Sequence, residues 1–83
     1  LCVFVGNRAA HARGQRYVER DLNRAFTEAR GEAWRRGALG GEAEDREQRE
    51  ILDLLAERVP RDGSRAVLLD LHCTSGGGPP FCV

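Results

Sequence analysis

Two groups of residues in this sequence have the types and spacing for chemistry. The first lies in "DLHCTSGGG", residues 70 to 78, where His72 ends an apolar run and precedes a glycine-rich loop. An imidazole so placed can ligate a metal. On an extended strand Asp70 and His72 project to one face, so Asp70 can accept a hydrogen bond from one ring nitrogen and fix the tautomer of a liganding histidine. The alternative is a strand-end histidine bonded to backbone, with Asp70 an ordinary polar terminus. The second group is Arg16, Asn23 and Arg24 in "GQRYVERDLNRAF". A guanidinium presents a planar fork of donors matched to a carboxylate, and an asparagine amide can add another donor to the same anion. Such a set suits an acidic substrate; its alternative is a solvated, salt-bridged surface.

The elements that must position these groups are short. "LCVFV", residues 1 to 5, reads as a buried strand closed by the turn Gly6-Asn7. Residues 8 to 20 read as a loop, with Gly14 breaking any helix, and His11 as an exposed loop residue. Asp21 can cap a short helical turn over "LNR" by accepting a backbone N–H near Asn23 or Arg24. Around Trp34, punctuated by Gly31, Gly37, Gly40 and Gly41, the chain reads as a short helix or a connection. From about Glu42 to Val59 the spacing predicts a helix: Glu42 and Arg46, then Asp45 and Arg49, stand four apart, and Ile51, Leu54, Leu55 and Val59 form an apolar stripe. Pro60 follows its end. "AVLLDLH" alternates too little for a solvated face and reads as a strand of a parallel sheet. Strand, loop, helix and strand in that order predict an α/β fold of the βαβ crossover type. His72 would then lie at the carboxyl end of a strand, where ligand sites of open α/β sheets gather.

Composition excludes several classes of function. Thirteen basic residues balance thirteen acidic ones, so no bulk attraction to nucleic acid or to an anionic membrane is implied. No apolar run approaches the roughly 20 residues that span a bilayer. The "TSGGG" loop lacks the lysine of a phosphate-binding loop and runs into Pro79-Pro80 rather than a helix. Cys2, Cys73 and Cys82 cannot all pair within one chain, and their spacing matches no zinc pattern, which favours free thiols and a cytoplasmic setting. The sequence holds no methionine and Leu1 opens directly on an apolar run. Residues 1–83 are therefore expected to be a single partial catalytic domain lacking N-terminal and C-terminal parts.

"GNRAAHARGQRYVERDLNRAF", "AEDREQREI" and "LDLHCTSGGGPPF" together resemble, in order and spacing, the succinylglutamate desuccinylase and aspartoacylase family of zinc-dependent amidohydrolases, relatives of the zinc carboxypeptidases. The resemblance covers nearly the whole chain and implies a fragment of a carboxypeptidase-like α/β/α sandwich. It implies that His72 is a zinc ligand and that Arg16 helps zinc polarise the scissile carbonyl. By the same resemblance Asn23 and Arg24 bind the substrate carboxylate, Asp21 orients their turn and Asp70 stands behind the liganding histidine. The chemistry implied is zinc-assisted hydrolysis, a bound water's pKa being lowered toward about 7 and its proton taken by a glutamate. Two departures stand out. Family members usually carry proline after "GN", where this chain has Arg8. The His-x-x-Glu motif that supplies the other zinc ligands is absent: Gly14 stands three after His11, and Ser75 three after His72. The general-base glutamate, expected downstream, is missing too. The expected function is part of a deacylase acting on a small acyl amino acid, the segment being inactive alone; the alternative is a carboxylate-binding module without metal.

Overall fold

The computed structural model describes residues 1–71; His72, Cys73, the glycine-rich loop and Cys82 lie outside the described residues. In chain order these form α1 (Arg8–Ala12), a 3-10 turn (Leu22–Arg24), α2 (Glu28–Arg35) and α3 (Ala43–Arg58), with no strand among the described residues. The predicted α/β strand–loop–helix–strand arrangement is thereby corrected. Neither apolar run forms a strand, and among the described residues neither has a neighbouring strand to take its N–H and C=O groups: Val3 is 80%, Val67 95% and Leu71 83% exposed. Strand propensity measures fit to a pleated, half-covered surface, and these apolar runs have no such surface beside them among the described residues. The Cα radius of gyration, 14.2 Å, exceeds the about 12 Å of a compact domain of this length.

The helices form for local reasons. The chain enters α1 through Asn7, in the left-handed region at φ 51°, a conformation asparagine tolerates better than most residues. The stretch predicted as loop thus begins with a five-residue helix, and Gly14 ends it rather than preventing it. Gly14 adopts φ +63°, its N–H bonds to His11 O at 3.0 Å, and Gln15 N–H bonds to Ala10 O at 2.9 Å. This is a Schellman ending. α2 ends the same way, with Gly37 at φ +68° and Ala38 N–H reaching Ala33 O at 2.7 Å. At its start Thr27 Oγ1 accepts from Arg30 N at 3.3 Å.

α3 matches the predicted helix closely, but its polar residues pair differently. Instead of the i,i+4 partners, Glu42 pairs with Arg20 at 3.1 Å, and Asp45 pairs with Arg30 and, at 3.9 Å, with Arg20. Arg46 donates to Gly41 O at 3.0 Å, and Arg49 to Leu39 O at 3.1 Å and Gly40 O at 3.0 Å. The N-terminal half of α3 packs against the chain before it, so its acids meet arginines from other segments. The buried apolar residues are small or few: Ala10, Leu22, Ala25 and Leu39. Among the described residues Glu44 and Gln48 are the largest fully buried side chains. A core this polar must be hydrogen-bonded to be stable. No helix among the described residues is long and apolar enough to cross a membrane.

Candidate functional site

The residues from 16 to 25 have little regular structure of their own beyond the 3-10 turn. Asp21 starts that turn as its cap, Oδ1 accepting from Asn23 N–H at 3.1 Å. Its other oxygen, Oδ2, gathers the arginines: Arg16 Nε and Nη2 lie at 3.0 and 2.9 Å, and Arg24 Nε at 3.8 Å. Arg16 and Arg24 thus reach one carboxylate with their side chains, whereas Asn23 meets it through its backbone N–H; all three residues are exposed to solvent. Two guanidinium charges against one carboxylate leave the cluster net positive. Asp70 is exposed and shares no hydrogen bond or ion pair with this cluster among the described residues. His72 lies outside them, and His11 is exposed on α1.

The same loop is fastened from α3. Glu44, 0% exposed, accepts from three consecutive amides, Val18 N at 2.5 Å, Glu19 N at 3.0 Å and Arg20 N at 3.1 Å, and from Asn7 Nδ2 at 3.2 Å. Burial pushes its carboxyl up, yet these four donors together outweigh burial and hold it down at about 2. Glu19 returns the contact, its Oε2 accepting from Ala43 N–H at the start of α3 at 2.8 Å. One turn further along α3, Gln48 Nε2 donates to Ala25 O at 2.8 Å, while its Oε1 accepts from Arg30 Nε at 2.7 Å. Beside it Asp45 accepts from Glu42 N–H at 3.2 Å. Burial pushes Asp45 up, and the Arg30 guanidinium, the Glu42 amide and the Arg20 charge keep it below the usual carboxylate range. Glu47 accepts from Arg8 N–H at 3.1 Å, a bond that a proline at this position could not make.

Sequence reading missed Glu44, Glu47 and Gln48 as site supports. The signal was present: the stripe through Ile51 and Leu55, continued toward the N-terminus at helical spacing, lands on Gln48, Glu47 and Glu44. Polar residues on a core-facing stripe need buried partners.

The model of the succinylglutamate desuccinylase/aspartoacylase catalytic domain matches residues 1–78. The chain belongs to this family. No curated protein and no solved structure matches it. Succinylglutamate desuccinylase/aspartoacylase proteins are deacylases and generally zinc-dependent. Among the described residues no three His, Cys, Asp or Glu side chains are grouped to hold a metal ion. Asp21, which contacts both arginines, and Glu44, which holds the amides of residues 18–20, already accept from guanidinium and amide N–H groups. The described residues therefore do not by themselves make up a zinc centre, and His72 lies outside them.

Proposed function

We propose that this chain supplies the carboxylate-gripping part of a zinc-dependent hydrolase that cleaves an N-acyl amino acid. The observation that carries the reading is the convergence of Arg16 and Arg24 on Asp21, on a turn whose sequence matches the family. Asp21 offsets the repulsion between the two guanidiniums and holds them on the same side of the turn. A substrate carboxylate approaching the pair meets a net positive charge, and the exposed guanidiniums offer it the N–H groups that Asp21 does not occupy. In this reading Arg24 and Asn23 grip that carboxylate, and Arg16 steadies the negative charge that develops on the amide oxygen. His72 is the chain's single zinc ligand, with the remaining ligands and the general base supplied from outside residues 1–83.

The test is hydrolysis of N-acetylaspartate and N-succinylglutamate by the complete enzyme. Arg24→Ala should raise KM by about tenfold or more while changing kcat by less than about threefold, the signature of lost ground-state binding. His72→Ala should remove bound zinc and rate together. An Arg24→Ala enzyme with unchanged KM for both substrates overturns the assignment of the carboxylate grip. Full zinc occupancy in His72→Ala overturns that of the ligand.

A further inference from the structure

We infer that Glu44 is the positioning residue of the arginine loop, ordering residues 18–20 so that Arg16 on one side and Asn23 and Arg24 on the other address one anion. The inference rests on the proposed function for its link to substrate, but its structural part stands on contacts alone. Val18, Glu19 and Arg20 belong to no helix or strand, so their amides have no partner of their own secondary structure. All three point at one carboxylate, which itself has no solvent exposure. Glu44 sits in the first turn of a sixteen-residue helix and so is a fixed point. Asn7 Nδ2 completes its coordination and ties the entry to α1 into the same node. The far end of the loop is held by Gln48 at Ala25 O, one helical turn along the same face. The stretch bearing these side chains is thus held from α3 at residues 18–20 and at Ala25, with Glu19 on Ala43 N–H and Arg20 beside Glu42 and Asp45 adding to the first hold, and among these contacts Glu44 alone carries charge to three amides at once.

Substitution discriminates positioning from general stability. Glu44→Gln sets an NH2 donor among amide donors and removes the charge. Glu44→Asp keeps the charge but withdraws it by one methylene. The measurement is made on the complete enzyme by NMR, following amide exchange at Val18, Glu19 and Arg20, binding of N-acetylaspartate and N-succinylglutamate, and the Trp34 indole N–H. The last bonds to Asp53 at 2.8 Å, between α2 and α3, and reports whether the helices remain assembled. With Glu44→Gln the three amides should exchange at least about tenfold faster and ligand affinity should fall about tenfold with the Trp34 signal retained; Glu44→Asp should fall between Glu44→Gln and the native chain. Should Glu44→Gln fail to fold, the graded loss in Glu44→Asp carries the same test. Unchanged exchange at 18–20 in the variants, or affinity lost only in step with the Trp34 signal, overturns the inference. A native chain that binds neither probe, but whose amide protection still depends on Glu44, overturns the proposed function and supports the ordering role.

Discussion

A carboxylate with no contact to water must either take up a proton or collect donors, and Glu44 collects four. Its carboxyl is depressed from 4.5 to about 2 on folding, so the associated stability is fully present above pH 4.5 and is lost as pH falls through about 2. The unfolding free energy of the native chain, measured by urea titration at a series of pH values, should therefore decline across that interval more steeply than that of Glu44→Gln. The gap between the two should be widest near neutral pH and close in acid. A constant gap from pH 7 down to 2 would mean that folding does not depress this carboxyl at all. Asp21 is the opposite case, a partly exposed acid whose role was legible from its position before "LNR", because a cap needs only local geometry. Glu44 was not legible in the same way, since its partners lie 24 to 37 residues away.

At the scale of elements, α3 organises the rest because its first two turns carry Glu44, Asp45, Glu47 and Gln48 on the face turned to the preceding chain. The approach to that helix is correspondingly tight. A Cβ on Gly40 would stand 2.5 Å from Asp45 Oδ2, whereas one on Gly41 would meet nothing within 4 Å. Asp45 cannot swing aside freely, because it is held by Arg30 and by the Glu42 amide. Gly40→Ala should destabilise the fold by about 1–3 kcal/mol, the usual cost of overpacking, while Gly41→Ala should be close to neutral. Urea midpoints of the two variants at constant m-value decide this, and equal midpoints would show that Asp45 is not pinned. Helix α3 itself was legible because sixteen residues give periodicity room to show. The five residues of α1 give too little, and only the stop at Gly14 was readable there.

Across the whole molecule, the apolar runs at residues 1–5 and 66–71 look in the sequence like the best-defined elements and in the structure contribute least to the core. Their composition invited a parallel pair, but pairing is a long-range property that apolar content alone cannot supply. What buries surface instead is the polar node around Glu44 and Gln48 with Leu22, Ala25 and Leu39 beside it, a core that hydropathy does not advertise. This distribution has a measurable consequence. Leu69 is 72% exposed, and Val67 and Leu71 are more exposed still, so their side chains leave little apolar area to lose. Replacing Val67 and Leu69 together by Lys should change the unfolding free energy of this chain by no more than about 0.5 kcal/mol, as for surface positions, and should lower its tendency to associate. By contrast Leu22→Ala removes a buried side chain packed among the helices and should cost about 2–5 kcal/mol. Paired urea denaturation and sedimentation measurements on the two variants compare the runs with the core directly. A double-lysine variant destabilised as much as Leu22→Ala would mean that residues 66–71 pack against the helices, because only a side chain withdrawn from water loses that much on gaining a charge.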